Sequence, residues 1–139
     1  MLKKIITIIS LLLLSNLSAE NIEAQKTTNN TQFKVSIGNV NTSAHIQFYL
    51  DIDNNPNTGY FDNNGITGAD YLIEDQTLMV FQPAGGTGSD WSNWADLSTT
   101  VNLTHTTYSS EAQLALNALT GIESVIRVAV QMRDTNWTL

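Results

Sequence analysis

Residues 44–52 read A-H-I-Q-F-Y-L-D-I. Side chains alternate across an extended chain, so Ala44, Ile46, Phe48, Leu50 and Ile52 share one face while His45, Gln47, Tyr49 and Asp51 share the other, the pattern of a β-strand packed on one side. Upstream, Phe33, Val35 and Ile37 alternate with Lys34 and Ser36, and residues 38–41 supply a turn. Downstream, residues 70–74 and 77–81 form a predicted hairpin around Asp75-Gln76. A Gly-rich stretch, 83–88, leads to Trp91 and Trp94; Val101 and Leu103 open a further strand, and residues 108–116 continue the sheet. Residues 114–119 could instead make a helical turn ended by Gly121. Val125, Ile126, Val128, Val130 and Met132 mark a final strand. Short strands between Gly, Asn and Ser turns, with no long amphipathic helix and no internal repeat, predict an all-β fold: an antiparallel, jelly-roll-like β-sandwich in one domain, residues 32–139.

The first 19 residues read as a secretory signal peptide. Lys3 and Lys4 precede an apolar run over 5–14, followed by a small polar tail that predicts cleavage after Ala19. The run falls well short of the roughly 20 residues that cross a bilayer as a helix, so stable membrane insertion is not expected after cleavage. Residues 20–31 are polar and are expected to form a flexible N-terminal segment. Cleavage would leave four basic residues against thirteen acidic ones (4 − 13 = −9), which makes nucleic acid and anionic lipid poor partners. The chain contains no cysteine, so an exported domain of this sequence must draw its stability from a core, a metal or a partner and not from disulfides. The expected location is periplasmic or extracellular.

The most specific chemistry lies just after the first strand quoted, in D-I-D-N-N-P-N-T-G-Y-F-D, residues 51–62. Asp51, Asp53 and Asn55 place oxygen ligands at alternate positions, as in the first half of a helix-loop-helix calcium loop, and Asp62 falls at its twelfth position. Pro56 stands where that loop has its turn glycine, and the flanks read as strands, so the ligand pattern is expected without the helices. Asn57 could add a backbone carbonyl, and Asp70 could return from the next strand to complete the site. Calcium suits such a set because it takes six to eight oxygens without strict geometry, whereas magnesium demands octahedral order. Zinc and copper are disfavoured, since His45 and His105 lie outside the loop. The plainer alternative is a solvated Asn/Asp turn, against which stands the mutual repulsion of its carboxylates.

Residues 48–60, F-Y-L-D-I-D-N-N-P-N-T-G-Y, and 68–74, G-A-D-Y-L-I-E, resemble paired segments of exported bacterial β-sandwich modules related to family 9 carbohydrate-binding modules and DOMON-like domains. The resemblance is specific over residues 47–74 and weaker to Trp94. It implies a sandwich that often contains calcium, with a metal role for Asp51, Asp53, Asn55 and Asp70 and a shaping role for Gly59, Gly68 and Tyr71. It does not carry a sugar site.

Trp91, Trp94 and Tyr60, together with Tyr108 and Trp137, are candidates for a sugar-stacking surface, because the C–H face of a pyranose packs on an aromatic ring. The competing reading, favoured for Trp91 and Trp94, is that they cover the end of the core. Catalysis is not expected: neither Glu74 with Asp75 nor Asp90 with Asp96 shows a shared cleft, and no serine has nucleophile-elbow glycines around it. The expectation is a non-catalytic, exported, calcium-containing module that binds carbohydrate or a glycan-bearing surface. The alternative is an envelope-associated domain contacting a cell-envelope protein. A haem role drawing on Met79, Met132, His45 or His105 ranks last.

Overall fold

In the computed structural model the residues described are 7–10, 19–26, 30–37, 45–106, 109–115, 118–119 and 125–138. Strands β1 (Thr7–Ser10), β12 (Val125–Arg133), β4 (His45–Asp51), β6 (Tyr71–Glu74), β7 (Thr77–Phe81) and β9 (Trp94–Thr100) lie side by side in that order in a six-stranded sheet. A four-stranded sheet has the order β10 (Asn102–His105), β11 (Ser109–Ala115), β3 (Asn30–Ile37), β2 (Ala19–Lys26). Pairing is antiparallel within both sheets except where β1 runs parallel to β12 at an edge. Two short strands, β5 (Gly59–Tyr60) and β8 (Thr87–Gly88), pair in parallel. The fold is all-β, as the period-two patterns predict.

Residues 45–51 supply the sheet's centre. β4 is flanked by β12 and β6, with Phe48 opposite both Val130 and Ile73. Ile46, Phe48 and Leu50 join Ile73, Leu78, Ile126, Val128 and Val130 in a buried cluster that also takes Ala112 and Leu114 from β11, so the two sheets share one core. The opposite face of β4 is buried as well, which its polar residues did not foretell. There Tyr49 packs with Tyr60, Ile66, Ala69, Leu72 and Phe81, because the loop after β4 folds back over the sheet.

The hairpin falls where expected: Glu74 pairs with Thr77, and Asp75 takes φ 51°, the left-handed conformation such a two-residue turn needs. Of residues 20–31, read as a flexible N-terminal segment, 20–26 lie in β2, 30–31 open β3, and 27–29 lie outside the described residues. β2 is an edge strand whose pairing with β3 is made by the backbone, and a polar composition is common at an edge. β9 is also additional to the sequence reading. β1 lies within the segment read as a signal peptide. The turn at 38–41, Ala44, Tyr108, Gly121 and most of the apolar run 5–14 lie outside the described residues. No helix among the described residues is long and apolar enough to cross a membrane.

Candidate functional site

β4 ends on Asp51, and the chain returns to the same place at Asp70, whose N–H donates to the Leu50 carbonyl at 2.9 Å. The Asp70 carboxylate in turn accepts the Ile52 N–H at 3.0 Å. These two bonds close the loop 52–69 at its neck and bring Asp51, Asp53 and Asp70 together, one oxygen of each lying within 4.8 Å of the others. Ligands on opposite sides of one calcium ion, each about 2.3 to 2.6 Å from it, are spaced on this scale. The three carboxylates can therefore hold a metal ion.

The rest of the loop aims these groups. The Asn55 N–H donates to Asp51 Oδ1 at 3.0 Å and to Asp53 Oδ1 at 2.9 Å. The Thr58 hydroxyl lies 3.1 Å from Asp53 Oδ2 and 3.0 Å from the Asn55 carbonyl. Asn54 at φ 54° and Gly68 at φ 74° set the turns. A Cβ on Gly68 would meet the Asn55 carbonyl, Arg127 Nη2 and Asp51 Oδ2, each within 2.8 Å, so only glycine lets the backbone pass this close.

Sequence reading missed Arg127. It stands opposite Asp51 in the β12–β4 register, and both Nε, at 2.6 Å, and Nη2 donate to Asp51 Oδ2. Its signal was visible as a charged residue on the outward parity of a strand otherwise rich in Val and Ile. Among the described residues, three carboxylates against one guanidinium leave two negative charges uncompensated, which matches a divalent cation. Burial pushes the Asp70 carboxyl up to about 6, reinforced by the charges of Asp53 and Asp51 and opposed by the Ile52 hydrogen bond. Asp51 is also raised, by burial, against the pull of Arg127. A cavity of about 220 Å³ opens beside Asp53 and Asp70.

Asp62 does not join this group. Its Oδ1 accepts N–H groups of Asn64 and Ile66, and its Oδ2 accepts the Gln131 amide at 3.0 Å. With a strand, β5, intervening where a helix-loop-helix loop would continue its coil, the twelfth position is carried elsewhere. Asn57 donates to the side-chain oxygen of Asn55 through its backbone N–H at 3.1 Å.

The aromatic candidates separate. Tyr60 is buried against Tyr49, Phe81 and Trp94. Trp94 packs on the same cluster, and its indole N–H is buried with no hydrogen-bond partner among the described residues. Trp91 is 43% exposed and stands edge-on to Tyr60 from a 3-10 turn, Trp91–Asn93, capped by Asp90. Trp137 is 44% exposed, and one face stacks on His45 at 3.6 Å between ring centres.

Between Trp91 and Trp137 runs a groove of about 420 Å³, lined also by Gln47, Glu74 and Arg133. The register places Glu74, Gln47 and Gln131 in one cross-strand row. Gln47 donates to Glu74 Oε2 at 2.6 Å and accepts from Arg133 Nε at 2.9 Å; Gln131 donates to Asp62 and accepts from Arg133 Nη2 at 3.1 Å. Each amide thus points its carbonyl at the guanidinium and its NH₂ at a carboxylate. Compared with family models, with curated proteins and with solved structures, the chain matches none.

Proposed function

We propose that this is a non-catalytic, exported carbohydrate-binding module of jelly-roll-like sandwich architecture, stabilised by one calcium ion at Asp51, Asp53 and Asp70. The observation that carries the sugar reading is the groove on the outer face of the six-stranded sheet, where two exposed indoles flank a row of fixed planar polar groups. Saccharides match that combination, since their C–H faces pack on aromatic rings while their hydroxyls exchange hydrogen bonds with amides, carboxylates and guanidinium groups. Ordering costs are low because the polar row is already held by its own hydrogen bonds. Trp137 sits at φ 64° in a turn held by Asp134, whose Oδ1 accepts the N–H groups of Asn136 and Thr138. A left-handed tryptophan fixed in this way is a local strain of the kind that collects at binding sites. Calcium is favoured over magnesium because the carboxylates sit on an irregular loop and share their oxygens with backbone donors.

The test is titration of the purified protein, in calcium, with soluble oligosaccharides. Binding to at least one, weakened tenfold or more by both Trp91→Ala and Trp137→Ala while the melting temperature stays within a few degrees, is the expected result. Absence of saccharide binding, together with recovery of one specific envelope protein by cross-linking, would replace this reading with that of a protein-interaction domain.

A further inference from the structure

We infer that the groove between Trp91 and Trp137 selects a saccharide bearing a carboxylate, a uronic-acid type of residue, with the acid group seated on Arg133. This rests on the carbohydrate reading and narrows it to a substrate class.

Among the described residues there are two arginines with different circumstances. Arg127 is neutralised by direct contact with Asp51. No carboxylate among the described residues lies within ion-pair distance of Arg133; its partners there are neutral, the oxygens of Gln47, Gln131 and the Trp137 backbone together with the Tyr49 hydroxyl. A guanidinium carries five N–H groups, so these four neutral partners leave a donor to spare and the positive charge unanswered among the described residues. A carboxylate answers both the donor and the charge, and charge-assisted bonds of this kind are about twice as strong as neutral ones. Gln47 and Gln131 are both almost fully buried, so the guanidinium is held in position before any ligand arrives.

Glu74 sets the direction of binding. It lies in the same groove on the far side of Gln47, with Oε2 engaged by that amide. Its charge repels a carboxylate and accepts hydroxyl donors, so the acid group of the sugar is directed to Arg133 and the hydroxyls to Glu74. The chain as a whole is strongly acidic. Screening over about 8 Å at physiological ionic strength confines that repulsion, and it weighs most against long polyanions. The ligand is therefore a short acidic oligosaccharide or the end of a chain.

The experiment is calorimetric titration of the protein in calcium with short oligomers of galacturonate, mannuronate, guluronate and glucuronate. Their methyl esters, and neutral gluco-, xylo- and manno-oligosaccharides, are titrated alongside. Binding of one uronate oligomer at least tenfold tighter than its methyl ester, with Arg133→Gln abolishing that difference, is expected. The ester comparison needs no variant and so stands even if Arg133→Gln fails to fold. Equal binding of acid and ester, or tighter binding of a neutral oligomer, would overturn the acidic class while leaving the carbohydrate reading in place. Binding of no saccharide in the panel would overturn both.

Discussion

Arg127 and Asp51 face each other directly across β12 and β4, and Asp51, only 2% exposed, receives two donors of the guanidinium on one oxygen. The pair sits at the point where the central strand gives way to the acidic loop. It therefore links the packing of the sheet to the charge balance of the candidate metal site: among the described residues, one carboxylate of the three is answered by a guanidinium and two are not.

Removing the guanidinium should be costly because it strands a buried charge. Arg127→Met is expected to destabilise the protein by about 3 kcal/mol, measured by denaturant unfolding in chelator. The double variant Asp51→Asn, Arg127→Met should recover most of that loss, since the amide carries no charge to strand. A single variant as stable as the parent would show that the pair contributes little.

The two tryptophans three residues apart should behave differently. Trp94→Ala empties part of the cluster formed with Tyr60 and Phe81 and should cost roughly 3 kcal/mol or more. Trp94→Phe keeps most of the packing and removes an indole N–H that has no partner among the described residues, so it should cost far less than Trp94→Ala. Trp91→Ala, at a half-exposed ring, should stay below about 1 kcal/mol. Equal losses for Trp91→Ala and Trp94→Ala in thermal unfolding would contradict this division.

The central strand and the hairpin were legible because their alternation is strong and their turn residues are short and specific. β2 and β9 were not. Ala19–Lys26 is mostly polar, and Trp94–Thr100 exposes Asp96, Leu97 and Ser98 at a sheet edge, so neither shows a clean apolar face. Asp51, Asp53 and Asp70 could be proposed together because a loop leaving and rejoining adjacent strands must close on itself. Arg127 could not be joined to them from local pattern: it lies 76 residues from Asp51 and meets it only through strand register. The same holds for the row Glu74, Gln47, Gln131 with Arg133, whose members come from three strands. Asp62 was drawn to the site by spacing alone, and spacing carries over only if the backbone follows the same coil.

Without metal, stability should fall as pH rises through the acid range. The Asp70 carboxyl titrates near 6 in the folded protein against an ordinary value of 3.8, so between these values the folded state holds more protons than the unfolded one. Stability then decreases with rising pH across about pH 4 to 6. Asp51 is shifted in the same direction and adds to the trend. Asp70→Asn should flatten the profile in chelator and raise stability at pH 7, since the amide oxygen can still accept the Ile52 N–H. Thermal unfolding in chelator from pH 4 to 7.5 measures this, and a parent protein that gains stability across the window would contradict the account.

Calcium should reverse that penalty, because a cation binds the ionised carboxylates that otherwise repel one another. The expected affinity therefore rises with pH over the same window, opposite in sign to the metal-free stability. At neutral pH, free calcium at 100 times its dissociation constant should add about 2.7 kcal/mol if it binds only the folded state. For a domain of this size that is a rise of about 10 °C in melting temperature. Asp53→Ala should abolish most of the response, since it removes one of the three carboxylates while leaving the Asp51–Arg127 pair in place. Asp90→Ala is the control: this residue only caps the turn carrying Trp91. Asp70→Asn should be the most telling variant, more stable than the parent in chelator and less stable in calcium. The measurement is thermal unfolding in chelator, in calcium and in magnesium, with elemental analysis of the purified protein. Identical melting temperatures in all three conditions, with no metal retained, would leave Asp51, Asp53 and Asp70 as a hydrogen-bonded loop neck and nothing more.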